Sequence, residues 1–236
     1  MQKMMSYMRS AMEKYNMVTE GDKIAVGLSG GKDSVALLWC LARMRLFYPV
    51  KYELSAITID PGFGGHETDY SVLEELCDKI EVPYHIKRTH IGEIIFDVRK
   101  EENPCSLCAR MRRGALHDAV KEIGYGKVAL GHHMDDAVET FMMNLFHEAR
   151  IGCFSPVTYL SRKDIYMIRP MIFARESDCA RVVRKEELPI VKSICPADEK
   201  TERERTKELL NSLEKRYPDI RYKILGAMQR GNINGF

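Results

Sequence analysis

Residues 24–34 read IAVGLSGGKDS, and this stretch decides the fold class. It opens with the short apolar run that is typical of a strand buried in a parallel sheet. The chain then turns through two glycines and takes up a helical pattern, with apolar residues at Val35, Leu38 and Ala42. A strand, a glycine-rich turn and a helix in this order predict the first unit of an α/β sheet.

The same alternation of strand and helix continues along the chain. Further strands are expected at 54–59, 83–87 and 127–130, with a hairpin at 159–168. Helices are expected in the first twenty residues, at 73–80, after the Cys105–Cys108 segment through 116–123, at 138–149, and throughout 175–228. We therefore predict an α/β fold with a doubly wound, mostly parallel sheet and a helical C-terminal extension.

Composition and charge narrow the class of protein. The chain has 236 residues, of which 45% are hydrophobic and 30% charged, as in an ordinary globular protein. No apolar run approaches the roughly 20 residues of a membrane span, and the start lacks the layout of a signal peptide. We expect a cytoplasmic protein without a membrane partner. The formal charge of +2 does not decide between partners, since a local basic face suffices for nucleic acid.

The turn after the first strand predicts a phosphate-binding loop. Its paired glycines let successive backbone N–H groups converge on an anion, and the start of the following helix adds positive partial charge. The loop differs from both GxxxxGK[ST] and GxGxxG, and a glycine-rich turn without a ligand is the alternative. The candidate residues are Ser29, Gly30, Gly31, Lys32, Asp33 and Ser34.

A second polar segment follows the strand expected at 127–130. Residues 131–140 read GHHMDDAVET, which puts Asp135 and Asp136 at the start of a helix. Helix capping is the simpler interpretation of such carboxylates. Two carboxylates beside two histidines could also hold Mg²⁺ against phosphates or transfer a proton.

Three of the seven cysteines suggest a metal or redox site. Cys105 and Cys108 form a CxxC pair, and Cys195 lies far along the chain. A CxxC pair is typical of a redox dithiol, half of a zinc site or part of an iron–sulfur site. Three thiolates suit a [4Fe–4S] cluster with one iron left open. Zinc completed by a histidine and unrelated core thiols are the alternatives.

The two polar motifs resemble those of a known superfamily. SGGKDS resembles the PP-loop of the N-type ATP pyrophosphatases, which split ATP into AMP and pyrophosphate while adenylating an oxygen. GHHMDDAVET resembles the second shared motif of the PP-loop tRNA-modifying enzymes. The resemblance implies ATP and Mg²⁺ as cofactors. It places Gly131, His132 and Asp135 at the nucleotide together with the loop residues. Asp60, which ends the second strand, is a further candidate, with a turn role as its alternative.

The cysteine segment resembles a narrower group. Residues 104–114, PCSLCARMRRG, resemble the cluster segment of the TtcA-type tRNA 2-thiocytidine synthetases. Shorter stretches at 60–63, 168–170 and 216–218 also resemble that family and occur in the same order as in its members. The TtuA-type thiolases share the three cysteine positions. The resemblance covers roughly residues 20–228. It implies a [4Fe–4S] cluster held by Cys105, Cys108 and Cys195, with catalytic roles for Cys108, Arg112 and Asp136.

The implied reaction replaces the C2 oxygen of a pyrimidine in tRNA with sulfur, with cytidine as the first choice of base. The implied partners are tRNA, a sulfide or persulfide donor and a second copy of the chain. The sequence departs from these families in two ways that bear on the RNA target. The segment of Cys195 has one cysteine where the TtcA pattern has a second CxxC. The zinc-knuckle cysteines of the TtuA type are absent. The rival interpretations are a ligase of the lysidine synthetase kind and a non-enzymatic nucleotide- or RNA-binding module.

For domain organisation, we predict an N-terminal helix at 1–20 and a PP-loop domain at 21–170 that carries the CxxC segment. The helical extension at 171–236 would supply Cys195.

Overall fold

One sheet organises the computed structural model, which describes residues 1–100, 104–192, 194–195 and 202–236. Its strands in the described ranges are β1 Asp22–Gly27, β2 Tyr52–Asp60, β3 Tyr84–Arg88, β4 Lys127–Ala129, β5 Val157–Leu160 and β6 Ile165–Ile168. The spatial order is β3-β2-β1-β4-β6-β5, and every neighbouring pair is parallel except the antiparallel β5–β6 hairpin. The predicted mostly parallel, doubly wound sheet is confirmed.

Helices cover both faces of this sheet. They are α1 Gln2–Lys14, α2 Lys32–Met44, α3 Ser71–Lys79, α4 Ile91–Glu93, α5 Pro104–Glu122, α6 Met134–His147, α7 Glu176–Lys185, α8 Glu202–Arg216 and α9 Ile220–Arg230. A π-turn at Ile94–Val98 continues α4, and short 3₁₀ turns lie at Phe63–Gly65 and Ile233–Gly235. None of the helices in the described ranges has both the length and the apolar character needed to cross a membrane.

Alternate residues of β1 face two separate cores. Ile24 and Val26 pack with α1, α2 and α6, whereas Ala25 faces the core that contains Val120 of α5 and Ile95. A strand buried on both faces explains why β1 shows an apolar run rather than an alternating pattern. The predicted domain boundaries at 20 and 170 stay predictions.

The order of the strands creates a crevice beside β1. The chain runs outward from β1 to β2 and β3, then returns to β4 on the other side of β1. Connections leave β1 and β4 in opposite directions, so their carboxyl ends border an open crevice, where ligands bind in sheets of this type. Helices α2 and α6 both begin at this edge.

Two details differ from the sequence prediction. The CxxC pair does not precede a helix but forms the first turn of α5, which begins at Pro104. Proline suits the first turn because the N–H that it lacks would have no helical acceptor there. The stretch expected to be helical from 175 to 228 also contains a non-helical segment at 187–192 and 194–195. Within the same stretch, 193 and 196–201 lie outside the described residues.

Candidate functional site

A cavity of about 410 Å³ opens in the crevice beside β1. The ends of β1, β2 and β4 form its floor, the starts of α2 and α6 form one wall, and α5 forms the other. The cavity brings together seven of the residues predicted for the site: Ser29, Asp33, Ser34, Arg112, Gly131, His132 and Asp136. Residues separated by more than a hundred positions in sequence therefore face one space.

The glycine-rich loop is held in a curled conformation by its own hydrogen bonds. The Ser34 hydroxyl donates to the Gly31 carbonyl at 2.9 Å and accepts the Ser29 N–H at 3.1 Å. Gly30 has φ +83°, and a Cβ there would lie 2.8 Å from the Cβ of Val191. The Val191 N–H donates to the Gly30 carbonyl at 3.0 Å. Only glycine fits this position, because both the backbone angle and the contact exclude a side chain.

At the start of α2, Lys32 forms ion pairs within the protein, whereas Asp33 lines the cavity. The Lys32 ammonium lies 3.0 Å from Asp33 and 2.9 Å from Glu176 of α7. Burial alone would lower the pKa of Lys32, but the hydrogen bond to Glu176 and the charge of Asp33 raise it. Asp33 lines the cavity, its Oδ1 is buried, and its carboxylate interacts with the Cys179 thiol of α7. A carboxylate that lines a cavity fits a cation or a donor group of a ligand.

The two aspartates of the second motif point in different directions. Asp136 completes a capping box with His133: its Oδ2 accepts the His133 N–H at 2.9 Å, and His133 Nδ1 accepts the Asp136 N–H at 3.3 Å. Asp136 also lines the cavity, so capping and a role in the site are compatible.

Asp135 faces away from the cavity and belongs to a buried charge network. Its carboxylate accepts the Glu176 N–H at 2.7 Å and lies 3.1 Å from Arg175 and 3.2 Å from Arg221. Both arginines also pair with Glu214 of α8. The network joins α6 to α7, α8 and α9. The geometry therefore assigns Asp135 a structural role and does not support its predicted contact with the nucleotide.

Asp60 likewise organises the backbone beside the crevice. It is buried and accepts N–H groups from Gly62 and Thr68, each at 3.1 Å, and its Oδ2 lies 2.9 Å from Arg88. These contacts fix the loop that follows β2. The geometry supports the turn role, which was the alternative for this residue, over direct nucleotide binding.

Two of the three cysteines predicted to hold a cluster, Cys108 and Cys195, pack into the same core. Cys105 is exposed and Cys108 buried in the first turn of α5, while Cys195 is half-buried against the same core. Burial raises the pKa of the Cys108 thiol, the charge of Arg112 opposes this effect, and Cys195 and Cys105 raise the pKa further. Cys105 shares the first turn of α5 with Cys108, so the fold brings the CxxC pair and Cys195 to the same core.

A second cavity of about 220 Å³ lies between the glycine-rich loop and the segment that precedes Cys195. Ser29 and Arg112 line both cavities, and Ile194, next to Cys195, lines the second. Within the described ranges, no three His, Cys, Asp or Glu side chains converge as the ligands of a single ion would. Cluster thiolates bind separate irons and need not converge on one point, so the CxxC pair and Cys195 together suit a cluster.

Comparison with known proteins decides the family. Residues 3–231 match the family of PP-loop domains. This chain belongs to the PP-loop family. Similar curated proteins are tRNA-cytidine(32) 2-sulfurtransferases. The protein from Syntrophotalea carbinolica is 37% identical over 94% of this chain and 86% of its own length. That from Pelobacter propionicus is 37% identical over 92% and 81%.

Solved structures agree with the PP-loop assignment. The U34-tRNA thiolase NcsA from Methanococcus maripaludis, solved with its [4Fe-4S] cluster, superposes with a TM-score of 0.80. It is 26% identical and covers 95% of this chain and 77% of its own. The NH3-dependent NAD synthetase from Campylobacter jejuni has a TM-score of 0.51 at 17% identity, over 100% and 96% of the two chains, and shares the fold alone. The resemblance inferred from the motifs is confirmed.

His132 lines the larger cavity with a neutral imidazole. The centroid of its ring lies 5.0 Å from that of Phe154. The guanidinium of Arg169 lies 4.8 Å from the same Phe154 ring centroid. Burial, reinforced by the charge of Arg169, lowers the pKa of His132 to about 4. The imidazole is therefore uncharged at neutral pH, and its Nδ1 is buried without a hydrogen-bond partner in the described part of the chain.

Glu139 is a buried residue beside the site that the sequence analysis did not single out, and it shares the ion-pair partner Arg203 with Asp136. It is the Glu of GHHMDDAVET, one helical turn after Asp136, and its carboxylate lies 3.4 Å from Arg203 of α8. Burial raises the pKa of Glu139 to about 7, although Arg203 favours the charged form. Arg203 also lies 3.3 Å from Asp136. The sequence signal for Glu139 was its position three residues after Asp136, which puts the two side chains on the same face of α6.

Replacing Glu139 with glutamine is expected to remove part of the pH dependence of stability. The raised pKa means that the protonated carboxyl favours folding below its ordinary value of 4.5 and that this contribution is lost as the pH rises through about 7. The wild-type free energy of unfolding should fall across this window by up to about 3 kcal/mol relative to Glu139→Gln. Urea denaturation on both sides of the window measures the difference. Exposed Glu148→Gln is the control, and parallel pH profiles for wild type and Glu139→Gln would contradict the assignment.

Proposed function

We propose that this chain is an ATP-dependent tRNA sulfurtransferase that adenylates the C2 oxygen of a pyrimidine in tRNA and replaces that oxygen with sulfur. The observation that carries the proposal is the position of Arg112, which lines both cavities beside the PP-loop and lies one helical turn after Cys108 on α5. The name shared by the curated relatives favours cytidine 32 as the target.

The PP-loop side of the cavity suits the activation step. The C2 oxygen attacks the α-phosphorus of ATP, and pyrophosphate leaves toward residues 29–34, whose N–H groups and serine hydroxyls can hold it. Asp33 and Asp136 present carboxylate oxygens to the cavity and would hold Mg²⁺ against the phosphates. Neutral His132 can donate to or accept from a nucleotide oxygen without adding charge.

The thiol side suits the sulfur-transfer step. Cys105, Cys108 and Cys195 would hold a [4Fe–4S] cluster, which supplies an iron able to bind sulfide. Arg112 lines both cavities and lies one helical turn after Cys108, so it can orient the activated base beside the thiols. Sulfide adds at C2, and AMP leaves with the original oxygen. Asp136 is placed to accept or return a proton at the reacting base.

The setting of the reaction follows from its substrates. We place the chain in the cytoplasm with tRNA, and a sulfide or persulfide donor must renew the sulfur after each turnover. A homodimer remains the expected assembly.

The decisive test is the metal content of protein purified without oxygen and reconstituted. About four irons and four acid-labile sulfides per chain, lost in Cys195→Ala, are expected. ATP should then be converted to AMP only when tRNA is present. Zinc, or no metal with unimpaired AMP formation, would overturn sulfur transfer and favour an amine-using PP-loop ligase.

Replacing Asp33 with alanine is expected to impair activation without disturbing the thiols. The variant loses a carboxylate that lines the cavity, so tRNA-dependent AMP formation should fall by about 100-fold or more. The visible absorbance of the reconstituted protein should be unchanged. Asp164→Asn, at an exposed carboxylate in the β5–β6 turn, is the matched control. Loss of absorbance in Asp33→Ala would show that Asp33 is structural.

A further inference from the structure

The charges on α5 are distributed unevenly between its two halves. In the C-terminal half, Asp118 pairs with Lys163, Lys121 with Asp164, and Glu122 with Lys87. These partners lie on β3 and the β5–β6 turn, so the charges of this half are neutralised within the fold.

The N-terminal half of α5 carries positive charge without compensation. Arg110, Arg112 and Arg113 form no ion pair with any residue in the described ranges. Residues 104–117 contain no Asp or Glu at all. Three guanidinium groups within four residues repel one another, and an anionic partner would relieve that repulsion.

These arginines lie at the opening of the site. Arg112 and Arg113 line the larger cavity, and Arg110 is exposed one helical turn before Arg113. Lys192 lines the second cavity with Arg112, is exposed, and likewise forms no ion pair within the described part of the chain. Cations from α5 and from the segment of Val191 therefore flank the space into which a substrate must pass.

We propose that the N-terminal half of α5, together with Lys192, is the face that binds the tRNA backbone, with Arg110 and Arg113 contacting phosphates next to the modified nucleotide. The inference rests on the proposed function and deepens it. A base inside the cavity must leave its stack, while its flanking phosphates stay at the opening. The guanidinium groups of Arg110 and Arg113 are suited to those phosphates because they can donate two parallel hydrogen bonds.

The fold offers a matched control for this face. Arg162 lies in the β5–β6 turn, is exposed, and also forms no ion pair among the described residues. This turn precedes β6, which is parallel to β4, so it lies at the edge of the sheet opposite the cavity. Replacing Arg162 with alanine changes the net charge by the same amount as replacing Arg110, but at a position far from the proposed tRNA-binding face.

The experiment measures tRNA affinity against salt concentration for the reconstituted full-length protein. Arg110→Ala and Arg113→Ala should each weaken binding and lower the slope of log Kd against log salt by about 0.7 to 0.9, the value for one lost phosphate contact. Arg162→Ala should match the wild type. Nucleotide affinity without tRNA checks the fold of Arg110→Ala, since Arg110 does not line the cavity.

Three results would overturn the inference. Wild-type slopes in both α5 variants would show that tRNA binds elsewhere. An equal loss in Arg162→Ala would show that only net charge matters. A wild-type protein that binds no tRNA would remove the proposed function itself, whereas the first two results leave that function intact.

Discussion

Cys108→Ala is expected to abolish tRNA thiolation while nucleotide binding stays intact. Cys108 is the buried member of the three thiols and lies one helical turn before Arg112, so its loss removes one of the proposed cluster ligands next to that arginine. The glycine-rich loop makes its own hydrogen bonds and does not depend on this thiol. Thiolated nucleoside in digested tRNA, measured by mass spectrometry, should fall below detection. Nucleotide affinity should equal that of the wild type.

A matched control separates chemistry from packing. Cys77 is also a buried helical cysteine, but it lies in α3 within the other core. Cys77→Ala should therefore retain both thiolation and iron. Unimpaired thiolation by Cys108→Ala would remove the thiols from the mechanism, and lost nucleotide binding would show that the variant acts through the fold.

Asp135→Asn is expected to destabilise the protein by about 3–5 kcal/mol, the usual cost of breaking a buried ion pair by removing one partner. The amide would leave the buried guanidinium of Arg221 and that of Arg175 facing each other with Glu214 as their remaining carboxylate. Urea denaturation measures the change in the free energy of unfolding. Glu204→Gln, an exposed change on α8, should have no measurable effect.

The same variant decides the role of Asp135. A stable Asp135→Asn protein with strongly reduced ATP affinity would return this carboxylate to the nucleotide site, as the motif alone suggests. Reduced stability with normal ATP affinity at low temperature would support the structural role seen here.

The sequence predicted the sheet because buried parallel strands have a local signature. β1, β2 and β4 appear as short apolar runs that end in glycine or aspartate, and no distant contact is needed to recognise them. The place of β6 between β4 and β5 had no such signature. The hairpin was predicted, but the choice of strand that pairs with β4 depends on packing across the whole sheet.

The candidate site was predictable in position and less so in detail. Motifs at the ends of β1 and β4 must meet when the sheet forms, which explains why Asp33 and Asp136 share a cavity. Neighbouring residues on a helix point about 100° apart, and nothing local shows which one faces the crevice. Arg175 and Arg221, far along the chain, draw Asp135 to the other side.

The contact between Val191 and Gly30 has a consequence for protein engineering. The carbonyl of Gly30 accepts a hydrogen bond from the N–H of Val191, in the segment that precedes Cys195. The Val191 side chain also leaves no room for a side chain at Gly30. The loop and that segment consequently form one transferable module rather than two. Grafting SGGKDS alone into another α/β scaffold would transfer the curl of the loop but not the backbone that covers it.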